Sequence, residues 1–306
     1  MKSRSVFAAI AGKPNAGKSS LLNALVNEKI AAVSDKPQTT RTRITGILTK
    51  GDIQYVFADT PGIQRPRNKL GEHMNKAVKN SVSGIDVVLF MTDVTGKFDE
   101  KEKDLLKMLK ASKTPVILLV NKIDLAEDKS LVAHKLSEYF SFFDFAAAVP
   151  ISAAENDGLD AVLEETAKFA SEGPHYYPDD KFTDQPERVL ISEMIREQLL
   201  NAMYDEIPHG IAVTVESTSE SVTNSGEDIF NIDAVIYCEK DSHKGMIIGK
   251  GGANLKKIGS GARAELERFF GIKVNLKLWI KVKEDWRNRE GLIKNFGLNA
   301  EKPMKQ

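Results

Sequence analysis

Gly12, Gly17, Lys18 and Ser19 stand in the run GKPNAGKS with the spacing G-x-x-x-x-G-K-S. That spacing belongs to a loop that cradles phosphate. Glycines at 12 and 17 let backbone N–H groups turn inward around a phosphate, with the backbone of Asn15, Ala16 and Ser20 completing the loop. Lys18 is long enough to reach the outer phosphates of a nucleotide. The Ser19 hydroxyl is a hard oxygen ligand suited to Mg2+. Three later strings add to this. In DTPG, Asp59–Gly62, the carboxylate of Asp59 would sit near the metal and the Gly62 N–H can bind a terminal phosphate. In NKID, Asn121–Asp124, the Asp124 carboxylate can accept hydrogen bonds from guanine N1–H and N2–H2, a donor pair adenine lacks. Lys122 can lay its stem along the base. In SAA, Ser152–Ala154, a turn of small residues lets a backbone N–H at Ser152 or Ala153 reach guanine O6. Each string is weak alone; the four in this order specify a guanine nucleotide.

Chemistry at these positions needs elements that end where the strings begin. Val6–Ala11, Ile53–Ala58, Val87–Thr92, Val116–Val120 and Ala147–Ile151 read as short apolar strands, four of them running directly into one of the strings. Ser19–Val26, Lys69–Ser83, Lys101–Ala111, Leu131–Phe140 and Leu159–Ser171 carry helical periods between them. Alternating strands and helices predict an α/β fold with a mostly parallel sheet, whose ligands gather at the carboxyl ends of the strands. The apolar start of the chain resembles a secretory leader only loosely. It passes straight into the phosphate loop, so it reads as a buried strand.

EGPHYYPDDKFTDQPE, Glu172–Glu187, has no helical or strand period and reads as an interdomain linker. Beyond it the order changes to helix (Arg188–Tyr204), two strands (Ile211–Ser217, Ile229–Glu239), short helix, glycine loop, helix (Ala253–Phe270) and strand (Val274–Val282). The glycine loop is Gly249-Lys250-Gly251-Gly252, a G-x-x-G between two helices. This stretch looks like a KH module of type II, whose loop clamps the backbone of about four nucleotides. Lys244, Lys250, Lys256 and Lys257 would meet phosphates, and Ile247, Ile248 and Ile258 would form an apolar floor for bases. The expected boundaries are residues 1–172 for the nucleotide domain, 173–187 for the linker, 188–283 for the KH-type RNA-binding domain and 284–306 for a tail.

Charge supports a nucleic-acid partner, although the chain of 306 residues carries 43 basic and 43 acidic side chains. Residues 179–239 hold 3 basic and 14 acidic residues, whereas residues 240–306 hold 16 and 7. The glycine loop therefore lies in a block with a net charge of +9. The one cysteine, Cys238, excludes an internal disulfide and fits a reducing cytosol. It lies in a strand and is expected in the core. No apolar run approaches the ~20 residues needed to span a bilayer.

GKPNAGKS, KPQTTRTRITGI (Lys36–Ile47), DTPGI, NKID and SAAENDGLD resemble the translation-factor-class GTPases, and within them the Era family. HYYPDDKFTD, SEMIREQLL and LWIKVKEDWRN extend the resemblance over nearly the whole chain. It implies a P-loop GTPase domain followed by a smaller α+β type II KH domain, with GTP/GDP and Mg2+ as cofactors. It also implies a role in assembling the small ribosomal subunit, through binding near the 3′ end of small-subunit ribosomal RNA. The expected protein is a cytoplasmic monomer whose membrane contact, which the family also implies, is peripheral. The metal ligands implied are Ser19, Asp59 and a hydroxyl of the Thr39–Thr40 pair; Thr40 is favoured, but the sequence does not separate the two. Lys18, Thr40 and Gly62 are the expected catalytic set. Ile63 stands where many regulatory GTPases place a water-orienting glutamine, which predicts slow intrinsic turnover. Related GTPases with an asparagine at the position of Asn15 use K+ there; Asn15 either does the same or only stabilises the loop. Two other functions stay in view. Nucleotide binding could stabilise an RNA-binding fold without switching it. A GTP-consuming metabolic enzyme is disfavoured, because no Cys/His metal spacing and no nucleophile–base pair stands out.

Overall fold

The computed structural model describes residues 3–36, 39–59, 68–74, 84–203, 207–222 and 226–298. β1 (Arg4–Gly12) is the centre of the larger sheet, whose order, with β2 at Ile44–Lys50, is β2-β3-β1-β4-β5-β6. β3 (Ile53–Asp59), β1, β4 (Val87–Asp93), β5 (Val116–Asn121) and β6 (Ala147–Pro150) run parallel to one another. Side chains of β1 alternate between the two faces, as a strand requires. Val6, Ala8 and Ile10 pack with Leu21, Leu22 and Leu25 of α1 (Lys18–Val26) and with Val162 of α4 (Leu159–Ala167). Phe7, Ala9 and Ala11 pack with Leu105, Leu106 and Leu109 of α2 (Glu100–Ser112) and with Tyr139 of α3 (Lys129–Phe140). Helices thus cover both faces, and β1, β3 and β5 all end on one edge. Residues 69–74 are helical; the remainder of the helix expected to Ser83 lies outside the described residues.

The structure departs from the sequence reading in two places. Ile44–Lys50, to which the sequence reading assigned no element, forms β2, antiparallel to β3. β2 includes Gly46, and a Cβ there would lie 2.6 Å from Leu22 Cδ1. Glycine at this position lets α1, which carries Ser19, seat against the strand. The second correction concerns the linker. The helix expected to reach Ser171 ends at Ala167, and β7 (Ser171–Glu172) pairs antiparallel with β1. The chain is then laid along the sheet. Gln54 Oε1 accepts from the backbone N–H of Tyr176 (2.8 Å) and Tyr177 (3.0 Å), and Ile47 N–H donates to Phe182 O (2.8 Å). A segment with no period of its own has its backbone satisfied from outside.

α5 (Glu187–Ala202), β8 (Ala212–Val222), β9 (Asp228–Cys238), α6 (Asp241–Ile248), α7 (Ala253–Phe270) and β10 (Lys273–Val282) follow in the expected order. Their sheet is β10-β9-β8, with β8 antiparallel and β10 parallel to β9. One face carries Phe230, Ile232, Ala234 and Ile236 against the three helices. Cys238 is in this core, and burial raises its thiol pKa. On the opposite face, Trp286, Ile293 from α8 (Glu290–Asn295) and Ala212 form a cluster with Leu70 and Met74. Among the described residues, no helix is long and apolar enough to cross a membrane.

Candidate functional site

At the carboxyl edge of the larger sheet, three loops are tied together by one buried side chain. Asn121 donates through Nδ2 to Ala16 O (2.8 Å) and accepts at Oδ1 from Ala153 N–H (3.0 Å). Gly17 adopts φ 101°, and a Cβ there would be 2.2 Å from Asn121 Nδ2. Glycine is required at this position both by its backbone conformation and by the amide beside it. Lys18 is buried, with Nζ donating to Lys13 O (2.8 Å) and Gly12 O (3.3 Å). Burial lowers its pKa, and the charge of Asp59 opposes that shift.

Ser19, Thr40 and Asp59 converge. Ser19 Oγ lies 2.6 Å from Asp59 Oδ2 and 2.8 Å from Thr40 Oγ1, and Thr40 Oγ1 lies 3.3 Å from Asp59 Oδ2. Two hydroxyls and a carboxylate clustered this closely form a donor set that fits Mg2+. Thr39 turns away, its Oγ1 donating to Lys36 O (2.6 Å). Asn15 sits at φ 64° with Nδ2 donating to Asp35 O (2.6 Å). It shares a cleft of about 360 Å³ with Lys18, Ser19, Ser20, Thr40 and Lys122. At the far side the Ser152 hydroxyl holds Asp124 Oδ1 at 2.5 Å, and Lys122 pairs with Asp93 at 2.5 Å. Gly62 and Ile63 lie outside the described residues.

In the second module Gly249, Gly251 and Gly252 all have positive φ, at 72°, 61° and 80°. A Cβ on Gly251 or Gly252 would meet nothing within 4 Å, so the loop offers bare backbone to its surroundings. Lys250, Lys256 and Lys257 are exposed around it and Lys244 is half-buried. Ile247 and Ile258 require a correction. They are 0% and 1% exposed and belong to the core, so they are not a floor for bases; Ile248 is half-buried. The open groove lies instead between α7 and β10, with a volume of about 500 Å³. Gly259, Ser260 and Arg263 line one wall and Leu276 and Leu278 the other. The one sequence signal for it was a glycine inside a helix, where close approach to another group is the usual cause.

The two modules touch through the segment that supplies Thr40. Arg41 is buried and donates to Ile211 O and to His209 O (3.2 Å), at the entrance to β8. Its guanidinium lies 5.8 Å from the centroid of the Trp286 ring. Burial, and then the neighbouring Arg196, bring its pKa down to about 9, so it remains a cation at neutral pH. Earlier in the segment Lys29 pairs with Glu197 (2.7 Å) and Glu265 (3.4 Å), and Val33 N–H donates to Glu197 Oε2 (2.9 Å).

A family model described as 50S ribosome-binding GTPase matches residues 7–122, and one described as KH domain matches residues 206–287. GTPase Era of Clostridioides difficile is 47% identical over 296 residues, covering 97% of this chain and 99% of its own. GTPase Era of Ruminiclostridium cellulolyticum is 44% identical over 302 residues, covering 99% and 100%. A crystal structure of Era in complex with MgGDPNP and nucleotides 1506–1542 of 16S ribosomal RNA matches with a TM-score of 0.92 at 35% identity, over 97% of this chain and 99% of that one. A variant of Era from Aquifex aeolicus bound to GDP and AlF4− matches with a TM-score of 0.92 at 36% identity, over 98% and 100%. Fold and site define a P-loop GTPase joined to a type II KH module. The chain belongs to the Era family of GTPases.

Proposed function

We propose that the protein binds GTP with Mg2+, hydrolyses it slowly, and uses the nucleotide state to govern how its KH module grips the 3′ end of small-subunit ribosomal RNA during subunit assembly. Residues 1–172 would form the nucleotide unit and residues 188–283 the RNA unit, with 173–187 connecting them and 284–306 as the tail, in a cytoplasmic monomer whose membrane contact is peripheral. The relative solved with MgGDPNP and 16S ribosomal RNA supports both ligands. The family description that names the 50S subunit covers only residues 7–122, whereas that complex matches 97% of the chain.

Asp124, held by Ser152, would select guanine by accepting from N1–H and N2–H2. The Lys18 ammonium would trade its carbonyl partners for phosphate oxygens, a charge-assisted exchange that a buried cation favours. Ser19, Thr40 and Asp59 would hold Mg2+, which when bound neutralises charge on the phosphates. With isoleucine at 63, positioning of the attacking water falls to backbone groups, Gly62 N–H among them, and to the Thr40 segment. The observation that carries the switch reading is an adjacency. Thr40 lies on the metal site and Arg41, the next residue, is bonded to the backbone entering β8 of the KH sheet.

The test is a titration of fluorescent single-stranded RNA copied from the 3′ end of 16S ribosomal RNA, at fixed salt, with a non-hydrolysable GTP analogue and again with GDP. Affinities differing by about tenfold, a coupling of about 1.4 kcal/mol, are the expected result. Coincident curves would leave nucleotide as a stabiliser of the fold only.

A further inference from the structure

The KH sheet has a face that the groove does not use. β10 is an edge strand, and its alternate residues divide between two environments. Leu276, Leu278 and Ile280 pack against the helical core. Lys277, Trp279 and Lys281 are exposed on the other side, in register with Asp233, Val235 and Tyr237 of β9. The tail covers one end of this face, where Phe296 stacks on Tyr237 at 4.6 Å. It leaves Trp279 60% exposed above a Val235 that is 2% exposed. A large flat ring is thus held in water on a rigid strand, one side chain from a cation in each direction. At about 3.3 Å per residue the two lysines stand roughly 6.6 Å to either side of it. Among the described residues neither Lys277 nor Lys281 has a carboxylate within ion-pair distance, whereas Lys273, further along, is paired with Glu227 at 2.8 Å. The nearest acid by register, Asp233, accepts from the Ser217 hydroxyl (3.0 Å).

We propose that this face is a second RNA contact, in which a base flanking the clamped stretch stacks on Trp279 while Lys277 and Lys281 hold the adjoining phosphates. The inference rests on the reading of the chain as an RNA binder. Exposed aromatics interleaved with unpaired cations are what a sequence-tolerant single-strand contact requires. A G-x-x-G loop clamps about four nucleotides, far fewer than the RNA bound in the solved relative. Among the described residues no further strand pairs with β10 on its outer edge, so one RNA strand can leave the α7–β10 groove and round that edge onto Trp279.

The chain has two tryptophans, and Trp286 is fully buried with Nε1 bonded to Gly210 O. Quenching by acrylamide, a neutral probe, therefore reports Trp279. The full chain with a bound GTP analogue is titrated with RNA matching nucleotides 1506–1542 of 16S ribosomal RNA, and separately with a hexamer that only fills the clamp. The long RNA is expected to shield Trp279 from acrylamide, and the hexamer to leave it accessible. Trp279→Ala is expected to weaken the long RNA about tenfold and the hexamer not at all, and Trp279→Phe to retain most of the affinity. Lys277→Gln and Lys281→Gln should each lower the salt slope for the long RNA by roughly 0.7. Unchanged acrylamide access with the long RNA bound, or equal weakening of both RNAs by Trp279→Ala, overturns the proposal. Shielding by small ribosomal subunits but not by naked RNA also overturns it and makes the face a contact for another part of the subunit. If neither RNA binds the unaltered chain, the RNA-binding reading itself fails.

Discussion

Two adjacent hydroxyls at 39 and 40 have the same chemistry and different work. Thr40 Oγ1 lies 2.8 Å from Ser19, while Thr39 Oγ1 is spent on Lys36 O. Thr40→Ala should therefore raise the Mg2+ concentration needed for half-maximal GTPase activity by about tenfold or more, the loss of one oxygen ligand at ~1.4 kcal/mol. Thr39→Ala should leave that midpoint nearly unmoved; the reverse order would reassign the ligand. Asn15 lines the cleft with Nδ2 donating to Asp35 O, and its amide Oδ1 is the kind of hard oxygen ligand that K+ takes. Turnover is expected to be several-fold faster in KCl than in NaCl of equal ionic strength, and Asn15→Ala to erase the difference. Equal rates in the two salts would leave Asn15 as a turn former. Local spacing was enough to predict that the phosphate loop, Asp59 and Asp124 gather at the carboxyl ends of β1, β3 and β5, where they lie, because each string adjoins its strand in sequence. It failed at Ile247 and Ile258. An isoleucine beside a glycine loop has the same type whether it faces a base or the core, and only packing decides.

Among the elements, β2 went unread although its partner β3 follows it directly, across a turn of only Gly51 and Asp52; its run ITGILTK has no clean alternation of apolar and polar residues, and β3 supplies its ladder. The linker reads as tether because its prolines and aspartates carry no period, yet Gln54, Thr45 and Ile47 bind it along its length. His175 gives that docking a pH dependence. Nδ1 lies 2.6 Å from Asp179 Oδ1 and Nε2 lies 3.3 Å from Asp52 O. Both partners are acceptors, so only the imidazolium can donate to both. The hydrogen bond to Asp179 raises the pKa above the ordinary 6.5. A raised cationic pKa stabilises the fold fully below the unfolded value and is lost as pH rises through the folded one. The difference in urea midpoint between the wild type and His175→Gln should be largest below pH 6.5 and shrink above it. A flat difference across that range would mean the imidazolium does not hold the linker.

For the whole molecule the decisive residue is Arg41, whose partner Ile211 is 170 positions away. No window of sequence could show this pairing. Its consequences follow from linkage. If GTP tightens RNA binding by some factor, RNA must tighten binding of the GTP analogue by the same factor. Both effects have to pass through contacts that differ between the states, and Arg41 is bonded to the KH module while its neighbour Thr40 stands beside Ser19 and Asp59. Lysine is not equivalent, because Arg41 meets the two carbonyls from two nitrogens, Nη1 and Nη2, and one ammonium cannot stand in both places. Arg41→Lys keeps the charge, and the second tie, Glu197 to Lys29 and Val33, still holds the two units together. The variant should bind GTP analogue alone and RNA alone within about threefold of wild type, a change of roughly 0.6 kcal/mol, because it touches neither ligand. The ratio of RNA affinities in the two nucleotide states should fall from about tenfold towards one. The ratio of nucleotide affinities with and without RNA should fall with it. A fall in only one ratio breaks the cycle and would point to an error in one of the titrations. Both ratios persisting would place the coupling in the remaining ties, those of Lys29 and Val33 with Glu197 and those of Leu70 and Met74 with Trp286 and Ile293.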